Sequence, residues 1–367
     1  MVKKILFLGT FPPPHYGASI LNGKILEILK VSKNIVVKSI KLNYSKDMAD
    51  VGKINLHKIG GIFKVRAEIL RSIKSFKPDL IYFAPATAGR GLKRDNFFVQ
   101  IIKQAKIPIL FHVHSRVKPR KLGERRLLKK MFKDEKAIVL GTELIKDLSW
   151  ILPQRNIFII PNAIQNIVSE NNLKKELLAR KKEINTKILF LSNMDETKGW
   201  LKLLQSCDIL NRRGINFECR FVGAWPSRDE EERFSRYVLK NRLSSKIKYL
   251  GKQVGVSKEA IFASSDIFVF PTEYPLETFG LVILEAMMHG LPVIANGIAT
   301  IPSTIIHEKT GFVLKKNSPT ELADYLEELI HNPPKGLKMG AEGRKRFLRE
   351  FEIERYGGKL LNLISNI

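Results

Sequence analysis

Residues 270–293 read FPTEYPLETFGLVILEAMMHGLPV, the pattern of a strand, a loop and a helix in succession. Its apolar start is the end of a buried strand, the two prolines that follow belong to a loop, and we expect a helix from about Thr278 to Gly290. The free N–H groups and the dipole at the start of a helix form a site for a diphosphate that needs no metal. We expect Phe279, Gly280 and Leu281 to supply these N–H groups, with Gly280 allowing a phosphate to approach closely.

One acidic residue precedes this helix and a second lies within it. Glu277 and Glu285 are eight positions apart, a rise of about 12 Å if all of them were helical. That distance is too long for two carboxylates that act on one glycosidic bond, which disfavours a hydrolase. It suits a ligand with two polar ends, where one carboxylate holds sugar hydroxyls and the other holds those of a ribose.

Short apolar runs alternate with helical patterns along the whole chain. The expected strands lie at 5–9, 35–40, 80–84, 108–113, 137–140, 157–160, 188–191, 217–222, 247–250, 267–270, 292–295 and 311–313. Nearly continuous apolar strands between helices are typical of parallel sheets that are covered on both faces. The pattern therefore predicts an α/β protein with two Rossmann-like domains that face a cleft, where the carboxyl ends of the strands bind ligands.

Length and composition bound the domain organisation. A chain of 367 residues favours two domains. We predict an N-terminal domain at 1–164, a linker region at 165–186, a C-terminal domain at 187–350 and a closing helix at 351–367.

Cys207 and Cys219 show no metal-binding or redox spacing, which indicates a reduced, cytoplasmic protein. No apolar run approaches the roughly 20 residues that span a bilayer, so we expect any membrane contact to be peripheral.

The charge balance is strongly basic, with 63 Lys and Arg against 36 Asp and Glu and a formal net charge of +27. Nucleic acid, an anionic membrane and phosphorylated small molecules would all suit such a charge. Lysine-rich composition with solvated side chains is the alternative. We predict no nucleic-acid partner, because no basic-aromatic motif of a DNA- or RNA-binding module occurs.

The stretch at 270–293 resembles the E-x7-E signature of retaining GT-B glycosyltransferases of family 4, of the bacterial polysaccharide and lipid-linked glycan type. The resemblance implies a GT-B fold and transfer of a sugar from a nucleotide diphosphate to a hydroxyl of a glycan or lipid-linked acceptor, without cofactor or metal. It implies that Glu277 contacts the donor sugar and Glu285 the ribose. We favour a UDP donor over GDP.

Further segments resemble that family in order along the chain. The loop at 11–19 carries Gly17, which the resemblance places near the donor phosphate. The strand end at 109–116 carries His114, implied to face the sugar; we expect His112 to point to the opposite side. The segment at 191–199 carries Lys198, implied to contact the diphosphate, and Asn193 where the family usually has arginine.

Smaller similarities complete the predicted site. Gln165 stands where the family has an acid, Lys252 is implied to border the nucleotide base, and the closing helix is implied to pack back on the N-terminal domain. The predicted catalytic residues are Glu277, His114 and Lys198. The predicted donor-binding residues are Gly17, Asn193, Lys198, Glu277, Thr278, Phe279, Gly280, Leu281, Glu285 and Lys252.

One segment of the N-terminal domain is unusually basic. Residues Arg116 to Lys136 hold ten basic residues against three acids, with apolar partners at the spacing of an amphipathic helix. Such a surface suits an anionic membrane with a lipid-linked acceptor, which predicts a peripheral position at the inner face of the cytoplasmic membrane. A solvated basic face is the alternative.

Two other functions remain open. Asn193 and Gln165 depart from the family pattern, which would suit a non-catalytic GT-B subunit that binds nucleotide or a partner. A nucleotide-sugar epimerase on the same fold is the other alternative.

Overall fold

The structure is a computed structural model of the chain, and it describes residues 2–13, 17–42, 56–119, 121–180 and 185–367, without the side chains of 56–59. Parts of three predicted segments lie outside the described residues: 14–16 of the loop at 11–19, Arg120 of the basic segment, and 181–184 of the linker region.

The chain divides into two units. Unit 1 comprises Met1–Asn162 and Tyr356–Ile367, and unit 2 comprises Ala163–Arg355. The described residues form two six-stranded parallel sheets. The α/β fold with two Rossmann-like domains is thereby confirmed, whereas the domain and linker boundaries stay predictions.

Unit 1 is built on a sheet with the order β2-β1-β3-β4-β5-β6. Its strands are β1 (Lys3–Gly9), β2 (Ile35–Lys41), β3 (Leu80–Phe83), β4 (Ile109–His112), β5 (Lys136–Val139) and β6 (Ile157–Ile159). Its helices are α1 (Gly17–Val31), α2 (Leu56–Phe76), α3 (Gly89–Gln104), α4 (Leu122–Phe132) and α5 (Ile145–Leu148). Four consecutive residues of β1, Ile5 to Leu8, are fully buried. Since neighbouring side chains point to opposite faces of a sheet, both faces are covered here.

Unit 2 is built on a sheet with the order β12-β11-β10-β7-β8-β9. Its strands are β7 (Thr186–Leu191), β8 (Phe217–Val222), β9 (Ile247–Tyr249), β10 (Ile267–Phe270), β11 (Val293–Asn296) and β12 (Gly311–Leu314). Its helices are α6 (Glu170–Arg180), α7 (Trp200–Arg212), α8 (Arg228–Lys240), α9 (Val256–Ala263), α10 (Leu281–Met288), α11 (Ile301–Thr304), α12 (Pro319–His331) and α13 (Pro333–Glu350). The fully buried Trp200 is part of its core and meets the Trp225 ring edge-on at 5.6 Å.

The last helix, α14 (Ile353–Ser365), joins unit 1 from Tyr356 onward. Tyr356 is buried with its hydroxyl 3.5 Å from Nδ1 of His112, and Lys3 donates from Nζ to the carbonyl oxygen of Ile364 at 2.7 Å. The end of the chain therefore contributes to the core of the unit that contains its beginning.

Candidate functional site

The loop between β10 and α10 carries the first of the two glutamates. The predicted helix start at Thr278 is wrong, because α10 begins at Leu281 and spans eight residues. Gly280 caps it with a φ of +75°, a left-handed conformation that a right-handed helix cannot continue through. Of the three predicted N–H groups, those of Phe279 and Gly280 therefore precede the helix. The predicted Leu281 does lie in the first turn, where Val282 follows it.

Gly280 also allows close packing. A Cβ atom at this position would lie 3.0 Å from a ring carbon of Phe270, the last residue of β10. On the other side, the carbonyl oxygen of the buried Thr278 accepts a 2.6 Å hydrogen bond from Oγ1 of Thr300. The backbone that enters α10 is thus fixed on both sides.

Glu277 forms an ion pair with Lys198, 79 residues earlier in the chain. Nζ of Lys198 lies 2.8 Å from Oε2 of Glu277, with side-chain exposures of 15% and 13%. The same ammonium lies 4.0 Å from the centre of the Tyr274 ring, a cation–π contact. Two residues predicted independently from separate motifs are therefore neighbours.

The segment that holds Lys198 packs directly on the end of β10. Gly199 has a φ of +91°, and a Cβ atom there would lie 2.4 Å from the carbonyl oxygen of Pro271. The N–H of Glu273 donates to the carbonyl oxygen of Thr197 at 2.7 Å. This close approach of two backbones places the Lys198 ammonium at the Glu277 carboxylate.

Glu285 is held by a residue that the sequence did not reveal. Nζ of Lys258, in α9, donates to Oε1 of Glu285 at 2.8 Å. Burial raises the pKa of the Glu285 carboxyl above its usual value, and the Lys258 charge partly offsets that effect. The sequence indicates only that Lys258 lies on a helix before β10. It does not indicate which side chain Lys258 contacts.

His289, at the end of α10, continues the chain of charges. Its Nε2 lies 3.0 Å from Oε2 of Glu259, and its Nδ1 lies 2.9 Å from Oε2 of Glu176 in α6. Burial alone lowers the pKa of His289, but the hydrogen bonds and charges of the two carboxylates outweigh it and raise that pKa above the usual value. Arg180 donates to the carbonyl oxygen of His289 at 3.1 Å. Sequence reasoning missed this cluster as well.

His114 lies in unit 1, just beyond β4. The expectation that His112 points to the opposite side is wrong: the two ring centres are 4.0 Å apart, because residues two apart on an extended backbone share a face. Nε2 of His114 lies 3.2 Å from Oδ1 of Asn22. Burial lowers the pKa of His114 to about 4, so its imidazole is neutral at neutral pH.

The other predicted donor-binding residues lie at strand ends or helix starts. Gly17 is the first residue of α1 and is exposed. Asn193 and Lys252 are exposed and follow β7 and β9. Phe279 is buried, with its ring 6.0 Å from that of Phe351. In unit 2 the structure therefore brings Lys198 and Glu277 together, and Glu285 with Lys258.

Among the described residues, no three His, Cys, Asp or Glu side chains are grouped closely enough to hold a metal ion. In the same part of the chain, no helix combines the length and the apolar character that crossing a membrane requires.

Comparison with protein families identifies the segment that carries both glutamates. Residues 169–346 match the family model of glycosyl transferases group 1. This region extends from α6 to α13 and includes Lys198, Lys258, Glu277 and Glu285.

Curated relatives match part of the chain. The capsular polysaccharide biosynthesis glycosyltransferase CapM of Staphylococcus aureus is 26% identical over 186 residues, which cover 50% of this chain and 47% of that protein. The N-acetyl-alpha-D-glucosaminyl L-malate synthase of Bacillus anthracis is 32% identical over 119 residues, which cover 32% of this chain and 30% of that protein. The alignments thus span about half or less of these relatives.

Solved structures extend the likeness to the whole chain. HepE of Anabaena, solved in complex with UDP, superposes with a TM-score of 0.76 at 17% identity and covers 100% of both chains. Sucrose-phosphate synthase of Thermosynechococcus elongatus gives a TM-score of 0.74 at 18% identity, over 99% of this chain and 98% of that one. The chain has the GT-B fold.

Proposed function

We propose that this chain is a retaining glycosyltransferase that moves a hexose-type sugar from a nucleotide diphosphate to a hydroxyl of a glycan or lipid-linked acceptor. The observation that carries the proposal is the ion pair between Lys198 and Glu277, next to the start of α10. A cation, a carboxylate and helical N–H groups in one place suit a ligand that joins an anionic diphosphate to a sugar. The family match at 169–346 supports it.

In the proposed reaction, the bond between the anomeric carbon and the diphosphate oxygen breaks while the acceptor oxygen bonds to the same face of the sugar. The acceptor's proton passes to the departing diphosphate. Lys198 and the N–H groups of Leu281 and Val282 stabilise the negative charge that develops on the leaving group. Glu277 accepts hydrogen bonds from sugar hydroxyls, and the proposal needs neither a covalent nucleophile nor a metal.

Three further predicted residues take roles in binding. Glu285 accepts hydrogen bonds from the ribose, and Lys252 borders the base. His114 stays a proposed sugar contact, since a neutral imidazole both donates and accepts hydrogen bonds. A UDP donor is favoured over GDP, which the UDP complex of the structurally similar HepE supports.

The test measures donor binding and turnover for the wild type and four variants. Lys198→Met and Glu277→Gln are expected to lower the transfer rate by about 10²- to 10³-fold, the usual effect of removing one preorganised charge-stabilising group. Lys202→Met and Glu273→Gln are the matched controls. Nζ of Lys202 lies 2.8 Å from Oε1 of Glu273 in a neighbouring ion pair, and the Glu273 side chain is 58% exposed. The controls are expected to retain near-normal rates.

Two outcomes would contradict the proposal in different ways. A wild type that binds nucleotide but releases no sugar would indicate the non-catalytic GT-B subunit. A wild type that interconverts two nucleotide sugars without an acceptor would indicate the epimerase.

We also propose that unit 1 binds an anionic membrane through the basic segment at 116–136, which places the enzyme at the inner face of the cytoplasmic membrane in cell-surface polysaccharide synthesis. In α4, Arg125, Arg126, Lys129 and Lys130 are exposed, whereas Leu128, Met131 and Phe132 are buried. Leu122, at the start of α4, is 65% exposed. Arg116 does not belong to this surface, because its guanidinium forms two hydrogen bonds with Asp147 at 2.7 and 2.9 Å.

Flotation with liposomes tests the membrane proposal. Wild type is expected to float with vesicles that contain anionic lipid, and less so at high salt. Reversal of the four exposed basic residues of α4 to glutamate is expected to abolish binding. Equal flotation of both proteins, or equal binding to neutral vesicles, would favour a solvated basic face.

A further inference from the structure

A continuous series of charged side chains leads from α6 through α9 to Glu285 in α10. Glu176 contacts one nitrogen of His289, and the other nitrogen contacts Glu259. Oε1 of Glu259 lies 3.6 Å from Nζ of Lys258, which donates to Glu285 at 2.8 Å. Three helices are thus connected through alternating acids and bases that end at one predicted ligand-binding carboxylate.

Lys258 is the basic partner of the Glu285 carboxylate. Both side chains are mostly buried, with exposures of 22% for Lys258 and 19% for Glu285. A carboxylate in such surroundings takes up a proton more readily, and a protonated carboxyl accepts hydrogen bonds less well. The ammonium opposes this effect of burial on the pKa of Glu285, and it fixes one carboxylate oxygen, Oε1, so that the second oxygen has a defined direction.

Lys258 is itself held in place. A lysine carries its ammonium on a flexible four-carbon side chain. Neighbouring groups must therefore fix the side chain if the ammonium is to keep one position. Here Oε1 of Glu259 also lies 3.6 Å from the Lys258 ammonium, and His289 contacts Oε2 of Glu259 while its own ring stacks on Phe262 at 5.6 Å. Glu285 and His289 are one helical turn apart on α10, so both face α9.

We propose that Lys258 is the positioning residue for Glu285 in its contact with the ribose hydroxyls of the nucleotide, and that Glu259 and His289 hold Lys258 for this role. The inference rests on the proposed nucleotide-sugar function. It adds that Lys258 orients the carboxylate that binds the ribose. A purely structural role, in which the ion pair only braces α9 against α10, is the competing explanation.

The experiment compares the affinities of UDP and 2′,3′-dideoxyuridine 5′-diphosphate by titration calorimetry, with the guanosine pair in parallel. Wild type is expected to bind UDP at least about tenfold more tightly than the dideoxy compound. Only UDP has the ribose hydroxyls that donate to the Glu285 carboxylate, and hydrogen bonds to a charged group typically contribute that much affinity. Lys258→Met is expected to lose about tenfold in UDP affinity while its affinity for the dideoxy compound stays unchanged. Lys258→Arg is expected to restore most of the loss.

Two further variants complete the test, one as a control and one as a probe of the His289 contacts. Lys345→Met removes a 72% exposed lysine from an ion pair on α13 and is expected to bind both nucleotides normally. His289→Gln is expected to show a smaller loss for UDP alone, because its amide replaces only one of the two contacts.

The outcomes separate this inference from the proposed function. If wild type binds UDP or GDP but Lys258→Met weakens the hydroxylated and dideoxy forms equally, the structural role is correct and the inference is overturned. The inference is also overturned if Lys258→Met leaves UDP affinity unchanged. If wild type binds neither nucleotide, the proposed function fails with it.

Discussion

Gly199 shows how one residue determines the geometry of the candidate site. A side chain at this position would meet the carbonyl oxygen of Pro271 at 2.4 Å, and its φ of +91° is unfavourable for any other residue. The contact holds Lys198 against the loop that carries Glu277. A change here therefore affects both stability and the position of the charged pair.

Gly199→Ala is expected to lower the free energy of unfolding by at least about 2 kcal/mol and to weaken nucleotide binding, because the backbones must separate. Urea unfolding and calorimetric titration measure the two effects. Gly358→Ala is the control: Gly358 is an exposed helical residue with open space around its Cβ position, so the change is expected to be neutral or stabilising by up to about 1 kcal/mol. Equal behaviour of the two variants would contradict the account.

Sequence motifs predicted Lys198, Glu277 and Glu285 individually, and the ion pair between the first two follows from their shared position at strand ends. Lys258 and His289 were not predictable in the same way. Their partners depend on how α6, α9 and α10 pack against each other, which periodicity does not encode. The two-residue repeat of a strand places His112 and His114 on the same face, so the shared side of these two rings is predictable from sequence.

At the level of elements, α8 illustrates a helix whose start is specified locally. Oγ of Ser227 accepts from the N–H of Glu230 at 3.3 Å, and three acids occupy the first turn. The start of α10 has no capping side chain. Thr278 and the preceding Glu277 resemble a helix start, yet the left-handed Gly280 sets the boundary three residues later.

Ser227→Ala is expected to lower the free energy of unfolding by about 1 kcal/mol, the usual cost of losing a capping side chain. Thermal or urea unfolding measures it. Ser235→Ala, at an exposed interior position of the same helix, is expected to have little effect or to stabilise slightly. A larger loss for Ser235→Ala than for Ser227→Ala would contradict this assignment of the helix start.

At the level of the whole molecule, buried histidines make stability depend on pH. The pKa of His114 falls from its ordinary 6.5 to about 4 through burial, and burial followed by the proximity of His114 lowers that of His112 as well. An unfolded chain binds protons at these residues below pH 6.5, whereas the folded protein does not. Their contribution to stability is therefore present above that pH and is lost as the pH falls towards 4.

We expect wild type to lose about 1 to 2 kcal/mol of stability between pH 7 and pH 5 through His114 alone. His114→Asn is expected to lose less over the same interval, since asparagine does not titrate. Urea unfolding at the two pH values measures the difference, and carboxylates contribute equally to both proteins. An identical pH dependence of wild type and variant would contradict the burial of a neutral His114.

The apolar character of the strands explains why the overall architecture was accessible from sequence. Twelve apolar runs predicted the strands of β1 to β12 because strands buried on both faces have nearly continuous apolar sequences. The strand order within each sheet, such as β7 beside β10, joins residues far apart in the chain. The periodicity of each strand does not encode these pairings, and the sequence analysis predicts no strand order.

A time course of donor turnover, followed by NMR with UDP- and GDP-sugars and a panel of hydroxyl acceptors, tests whether the chain transfers a sugar with retention. The account predicts that free nucleoside diphosphate and a new glycoside appear together, with the anomeric configuration of the donor retained, and that Glu277→Gln and Lys198→Met slow both signals alike. An inverted anomeric configuration, or a bound donor that remains intact with every acceptor, would contradict it.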